Sequence, residues 1–204
     1  MGGITSIISA FGLSAASGLN AYIPLLLVGL TARFTNWITL APPFDLLSNE
    51  WVLGALVVLL GIEFFADKVP GVDHLNDVIQ TFVRPAAGAV LFASEAHVIT
   101  QIHPILAMIL GLLVAFGVHA TKATARPLVT VATGGIGNPV VSTVEDVASV
   151  GMTMMAILAP ILLLLSFIAL LLAGFMIWSK RSKTAAAKAS ANSPENPPPL
   201  NWPQ

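Results

Sequence analysis

The feature that most limits how this chain can fold is a long, uncharged and strongly apolar segment, residues 150–178, which contains ILAPILLLLSFIALLLAGFMIW and stops at SKRSK. About 20 consecutive apolar residues are enough for a helix to cross the hydrocarbon core of a bilayer. The rest of the chain is similar, since 56% of its 204 residues are hydrophobic and 9% are charged, whereas soluble domains average about 25% charged residues. The sequence therefore predicts an all-α, polytopic bundle of membrane-spanning helices.

Further spans are predicted at residues 7–31, 51–65 and 104–119. Residues 82–94 are apolar but short, unless a preceding helix extends them, and residues 128–144 contain GGIGNP and predict a broken span or a re-entrant loop. Glycine costs about 1 kcal/mol and proline about 3 kcal/mol in a helix interior. We expect about six spans within a membrane domain of residues 1–178. The candidate helix breaks are Gly18, Asn20, Pro24, Gly135, Gly137 and Pro139.

The two ends of the chain predict different things. Residues 1–14 lack the positive region of a signal peptide, so we expect the first apolar segment to be retained as a span. Residues 179–204 are rich in Ala, Ser, Asn and Pro. Such a composition cannot bury enough apolar surface to fold alone, and it predicts a disordered cytoplasmic tail.

The basic residues predict the orientation. With six spans and both termini in the cytoplasm, eight of the nine basic residues are inside and only Arg33 is outside, as the positive-inside rule requires. We therefore expect a multi-pass protein of the cell membrane, with the lipid bilayer as its first partner.

Charges gather in residues 63–85, EFFADKVPGVDHLNDVIQTFVRP. A helix that restarts near Val72 places Asp73, Asp77, Gln80 and Arg84 on one face at helical spacing. Polar side chains at membrane depth face the bundle interior or a water-filled vestibule. The candidate site residues in this segment are Glu63, Asp67, Lys68, Asp73, Asp77 and Arg84.

Three interpretations of this cluster remain open. In the first, Lys68 and Arg84 pair with the acids and form a structural network. In the second, the carboxylates form a cation or proton site, because hard cations prefer carboxylate oxygens. In the third, the segment is a solvated loop. Under the first, Arg84 is expected to contact at least one of Glu63, Asp67, Asp73 and Asp77.

A second polar region extends from GVHATKATARP to GGIGNPVVSTVED. His119 is either a core histidine that hydrogen-bonds a backbone carbonyl or a functional residue. Glu145 and Asp146 are either N-terminal acids favoured by a helix dipole or members of the site. The candidate residues here are His119, Lys122, Arg126, Asn138, Glu145 and Asp146.

Two pairs of segments resemble each other across the chain. SGLNAYIP at 17–24 is similar to GIGNPVVS at 135–142, and VRPAAG at 83–88 is similar to ARPLVT at 125–130. Broken segments in corresponding halves indicate a transporter site near the midplane when the halves form an inverted repeat. We therefore consider a weak three-plus-three inverted repeat.

The segments SAASGLNAYIPLLL, EFFADKVPGVDHLNDVIQTFVRPAAGA and NPVVSTVED together resemble a bacterial membrane family, domain of unknown function 4126. The resemblance covers about residues 5–175. It implies a multi-span protein of a bacterial inner membrane and supports the placement of the site, without identifying its chemistry.

Several function classes are excluded or weakened by the sequence. The chain has no cysteine and a net charge of −1, which exclude disulfides and thiolate chemistry and give no case for nucleic acid. Phosphate-loop, dinucleotide, zinc-protease and nucleophile-elbow motifs are absent, and no cofactor is expected. Our first hypothesis is a small transporter or channel-like protein for an ion or solute. The second is a structural or assembly membrane protein, and the third is an enzyme that uses Asp73, His74, Asp77, Arg84 and Arg126 on a lipid phosphate.

Overall fold

The computed structural model describes residues 3–66, 72–95 and 102–191, without the side chains at 73, 74, 77 and 181–191. Within these ranges, a short 3-10 helix spans Phe44–Ser48. The α-helices there are α1 Gly3–Leu19, α2 Tyr22–Phe34, α3 Glu50–Ala66, α4 Val72–Ser94, α5 Pro104–Thr133, α6 Asn138–Leu158 and α7 Pro160–Ala191. The predicted all-α helical bundle is confirmed.

Residues 7–31 form a helical hairpin and not one span. Leu13 of α1 and Val28 of α2 pack in the same apolar cluster. The chain therefore reverses direction after α1 ends at Leu19, and α2 runs antiparallel to α1. Asn20 starts the new helix, because its side-chain oxygen accepts from the backbone N–H groups of Tyr22, at 3.0 Å, and Ile23, at 3.1 Å. The prediction of a single span here is wrong.

The most buried helix is α1, which packs against α4, α5 and α6. Its buried face consists largely of Ser, Ala and Gly, and small residues let membrane helices approach closely. A Cβ atom added at Gly18 would lie 2.6 Å from the carbonyl oxygen of Ala115, and one at Gly88 would lie 2.7 Å from that of Gly111. These close backbone contacts bring α1, α4 and α5 together.

Helices α1 and α6 run in opposite directions. Ser149 of α6 donates to the carbonyl of Ala16 of α1 at 3.1 Å, while Asp146, earlier in α6, bonds Asn20, which follows the end of α1. Helices α4 and α5 also run in opposite directions, because Gly88 contacts Gly111 and Arg84 contacts His119. We call the end of the bundle that holds the α1–α2 turn and the start of α6 the charged end. The loop end holds the α2–α3 connection and the start of α5.

The broken segment 128–144 separates α5 from α6. Gly134 and Gly135 have φ values of 62° and 89°, in the left-handed region that glycine adopts without strain. The N–H of Gly135 donates to the carbonyl of Thr130 at 3.0 Å, which closes the end of α5. Pro139 lies in the first turn of α6, where a proline is tolerated, so it starts a helix and does not interrupt one.

The segment 150–178 is not one helix, because α6 ends at Leu158 and α7 begins at Pro160, and a proline removes a helical hydrogen bond. Residues 82–94 are extended by ten preceding residues into the 23-residue α4, as expected for a helix that restarts near Val72. The helix α7 continues to Ala191, past the boundary predicted at 178. The chain divides into two compact units, residues 1–163 and 164–204.

The first similar pair, residues 17–24 and 135–142, does not occupy the positions of an inverted repeat. The α1–α2 turn and the α5–α6 turn both lie at the charged end, and α1 and α5 run in the same direction, since Gly18 contacts Ala115 and Lys122 reaches Leu19. An inverted repeat would place the two turns at opposite ends.

In the part of the chain that the structure describes, three helices are long and apolar enough to span a membrane: α5, α6 and residues 160–180 of α7. The exposed surface of α3 is apolar, including Val58, Ile62 and Phe65, whereas α1 buries four serines. An apolar exterior around a partly polar interior indicates a membrane protein.

Candidate functional site

A fully buried arginine joins three helices toward the charged end. The Nη2 atom of Arg84 lies 2.9 Å from Oε1 of Glu63, and the two side chains are 0% and 1% exposed. Its Nη1 atom lies 3.2 Å from Nδ1 of His119. The contact predicted between Arg84 and one of the four acids is therefore confirmed, with Glu63 as the partner.

This geometry fixes the protonation of His119. An arginine guanidinium has only donors, so Nδ1 of His119 must accept the hydrogen bond from Arg84. Its Nε2 atom then carries the hydrogen and donates to Oγ1 of Thr81, 3.0 Å away. A doubly protonated imidazole would direct an N–H group at the guanidinium. His119 is therefore a neutral link between Arg84 and Thr81.

Glu63 lies on the one face of helix α3 that points into the bundle. Leu53, Leu56 and Glu63 are its buried residues, and their spacing of three and seven residues repeats on one side of a helix. The other sides of α3 are apolar and mostly exposed. Glu63 is thus the one acidic residue that this helix directs into the bundle.

The α1–α2 turn lies beside this arginine. The hydroxyl of Ser17 is 3.5 Å from the backbone carbonyl of Arg84, and Tyr22 is close enough to Glu63 and Arg84 to interact with their charges. Gln80 is 1% exposed. Sequence reasoning placed Gln80 on the polar stripe but missed Tyr22 and Thr81, whose roles depend on contacts between distant helices.

A second ion-pair group connects α5 and α6. The Nζ atom of Lys122 lies 2.8 Å from Oε2 of Glu145 and 3.2 Å from the carbonyl oxygen of Leu19. Arg126 Nη2 lies 3.5 Å from the same carboxylate oxygen. A lysine at the last carbonyl of α1 also complements the negative end of that helix. We call Lys122, Arg126 and Glu145, together with Glu63, Arg84 and His119, the charged network.

Asp146, next to Glu145 in α6, binds the α1–α2 turn. The amide nitrogen of Asn20 donates to Oδ1 of Asp146 at 3.0 Å. Asn138 accepts from Thr130 at 3.1 Å and joins the two sides of the α5–α6 turn. Glu145 and Asp146 lie beyond the first turn of α6, so their interpretation as N-terminal helix acids is wrong.

The structure brings most of the predicted site residues to one end of the bundle. His119 bonds to side chains of Arg84 and Thr81, where the simpler interpretation had a backbone carbonyl. Asp67 and Lys68 lie outside the described residues. Asp73 and Asp77 lie in the first turns of α4, but the structure does not describe their side chains. Among the described residues, no three His, Asp or Glu side chains gather as metal ligands.

The chain matches the family model described as Domain of unknown function (DUF4126) over residues 7–181. The family resemblance found in the sequence is confirmed. No curated protein and no solved structure matches the chain.

Proposed function

We propose that this chain, which belongs to the DUF4126 family, is a small membrane transporter or channel-like protein whose charged network is a closed gate. The observation that carries the proposal is the burial of Arg84 against Glu63 and His119. Ionisable side chains at membrane depth are costly, and their usual justification is a substrate, ion or proton pathway.

The positions of the charges along their helices support this depth. Glu63 follows the start of α3 at Glu50, and Arg84 precedes the end of α4 at Ser94. At 1.5 Å per residue, the two Cα atoms are about 20 Å and about 15 Å from the loop end. The hydrocarbon core is about 30 Å thick, so the pair lies within it when the loop end is at the opposite interface.

The orientation that we propose has the charged end toward the cytoplasm. That end holds Arg84, Lys122 and Arg126, whereas Arg33 is at the loop end beside Glu50. The start of α1 lies at the loop end, because Ser9 and Trp37 border the same cavity. A cytoplasmic N-terminus and an external Arg33 are therefore incompatible. We place the N-terminus outside and keep the C-terminus inside.

A structural or assembly role is the second candidate, and one observation favours it. The described acids of the charged network each contact a cation, Glu63 through Arg84 and Glu145 through Lys122. A role in assembly requires only that these pairs hold α3, α4, α5 and α6 around the α1–α2 turn.

Flux through reconstituted liposomes separates the two candidates. Purified protein in vesicles with an internal pH dye is tested for proton, Na⁺ and K⁺ movement, with Glu63→Gln compared with Glu50→Gln at the exposed loop-end pair. A transporter requires flux in the wild type and in Glu50→Gln and altered flux in Glu63→Gln. Asp73→Asn/Asp77→Asn tests the outer part of the predicted polar stripe in the same assay. Absence of flux of every tested ion and proton, with folded protein, would favour the structural candidate.

A further inference from the structure

A cavity of about 230 Å³ lies at the loop end, away from the charged network. Its floor is apolar and consists of Leu13, Val28 and Ile157, which belong to the main apolar cluster. Drug-sized ligands occupy cavities of about 300–1,000 Å³. The volume therefore fits a smaller solute.

One wall of the cavity is the segment that follows α2. Leu40 in this segment forms an antiparallel bridge with Glu95 at the end of α4. This backbone pairing holds the residues that precede Leu40, among them Trp37 and Thr39, beside the cavity. The opening is thus framed by two parts of the chain that are fixed to each other.

Two hydroxyl groups of the cavity can act only as acceptors toward a ligand. The hydroxyl of Ser9 donates to the carbonyl of Ala156, and that of Ser94 donates to the carbonyl of Leu91 at 2.9 Å. With its hydrogen used in this way, each hydroxyl can offer only lone pairs to a ligand. Glu95 is the one titratable side chain among the described residues that line the cavity.

An aromatic ring completes the set. Trp37 lines the cavity and is 63% exposed, so its ring is accessible from the loop end. Cations are attracted to the face of a tryptophan ring, and small quaternary ammonium groups are well suited to such sites. An acidic side chain, acceptor hydroxyls and an accessible indole together select a positively charged, donor-bearing ligand.

We propose that this cavity binds a small organic ammonium compound, with Glu95 as its counter-ion and with Ser9, Ser94 and Trp37 as further contacts. This site is distinct from the charged network and goes beyond the proposed function, since binding here is measurable whether or not anything is transported. The ionic state of Glu95 is linked to the ligand. Burial raises the pKa of the Glu95 carboxyl against a smaller opposing effect of the positively charged N-terminus, whereas a bound cation favours the carboxylate, so affinity rises with pH.

The experiment uses the fluorescence of Trp37 in the full chain. Replacing Trp51, Trp178 and Trp202 by Phe leaves Trp37 as the single tryptophan. This variant is purified in detergent and titrated with choline, methylammonium and tetrabutylammonium, with tert-butanol as the neutral probe. Glu95→Gln is the test variant, and Glu50→Gln at the same end of the bundle is its matched control.

We expect a saturable change of Trp37 fluorescence with choline or methylammonium, none with tert-butanol, and exclusion of the bulky tetrabutylammonium ion. Glu95→Gln should weaken binding roughly tenfold to a hundredfold, as expected for the loss of one charge-assisted contact. Glu50→Gln should bind as the parent does.

Two results would overturn the proposal. One is the absence of a saturable response to either small cation, or an equal response in Glu95→Gln. The other is a response to phosphatidylethanolamine vesicles without a response to soluble cations, because the ammonium group would then belong to a lipid. The flux assay is independent, so failure here leaves the transporter proposal to its own test.

Discussion

Arg84 Nη2 of α4 lies 2.9 Å from Oε1 of Glu63 of α3, and the two side chains are almost completely buried. The pair joins α3 to the bundle on the inward face that also carries Leu53 and Leu56. A buried ion pair stabilises a fold weakly relative to an apolar replacement, but removing one partner leaves an uncompensated charge. The pair therefore makes the position of α3 depend on both residues.

Arg84→Ala should destabilise the protein by about 3–5 kcal/mol, because Glu63 would remain buried without its cation. Arg84→Lys should recover only part of this, since an ammonium group cannot replace the planar guanidinium that reaches both Glu63 and His119. Thermal unfolding in detergent is the measurement.

Arg33→Ala is the matched control for this prediction. Arg33 pairs with Glu50 at 3.3 Å, and the two side chains are 37% and 70% exposed. Exposed pairs contribute about 0–1 kcal/mol. Equal stability of the Arg84 and Arg33 variants would show that Arg84 is solvated. The double variant Glu63→Leu/Arg84→Met should be more stable than Arg84→Ala, because it removes both charges.

The sequence was sufficient for the class of fold and for the prediction that Arg84 contacts one of four acids. Hydropathy identified a helical membrane protein, and helical spacing placed Arg84 on a polar face. These features are local, so they follow from a periodic pattern. The choice of Glu63 did not follow, because α3 is apolar almost throughout and packing decides that Leu53, Leu56 and Glu63 form its buried face.

The hairpin of α1 and α2 was not predictable from the same patterns. Residues 7–31 are continuously apolar apart from small polar side chains, and the turn depends on Asn20, whose partner Asp146 is 126 residues away. The count of basic residues could not reveal the hairpin, because Arg33 is the first basic residue of the chain. The distribution of basic residues between the two sides of the membrane is therefore the same with the N-terminus on either side. The Glu95 cavity was missed because it is assembled from five separate segments.

The N-terminal end and the α2–α3 connection should be labelled from the same side of the membrane. The chain has no cysteine, so single cysteines at Ile4, Asp45 and Ile136 can be treated with a membrane-impermeant maleimide in right-side-out cells. Ile4→Cys and Asp45→Cys should react, whereas Ile136→Cys at the charged end should react only after permeabilisation. Ile4 and Asp45 on opposite sides would contradict the hairpin. Reaction of Ile136→Cys alone would reverse the proposed orientation.

Gly111→Ala should destabilise the contact between α4 and α5. An added Cβ atom at Gly111 would overlap the carbonyl oxygen of Gly88 and lie 2.6 Å from Cβ of Phe92. Overpacking of a close contact costs about 1–3 kcal/mol, and separation of the helices would lengthen the link between Arg84 and His119. Thermal unfolding in detergent measures the change.

Gly117→Ala on the same helix is the control, because no atom lies within 4 Å of its added Cβ atom. It should be neutral or slightly stabilising, since alanine favours a helix over glycine by about 1 kcal/mol. An equal effect of the two substitutions would contradict the close approach of α4 and α5.

Glu95→Gln should change how stability depends on pH. Burial raises the pKa of Glu95 above its ordinary value of 4.5, so between the ordinary and the raised pKa the folded protein binds more protons at this site than the unfolded chain does. Stability contributed by the neutral carboxyl is therefore complete below the ordinary pKa and is lost as the pH rises through the raised one.

Glutamine resembles the neutral acid and cannot ionise. The stability of Glu95→Gln relative to the wild type should accordingly increase from acidic to neutral pH, as measured by thermal unfolding in detergent without added amines. The positively charged N-terminus, which acts on Glu95, is present in both proteins, and Glu50→Gln controls for the loss of a loop-end charge. Parallel stability curves for Glu95→Gln and the wild type across this range would show that Glu95 is hydrated, and the enclosed cavity at the loop end would then be incorrect.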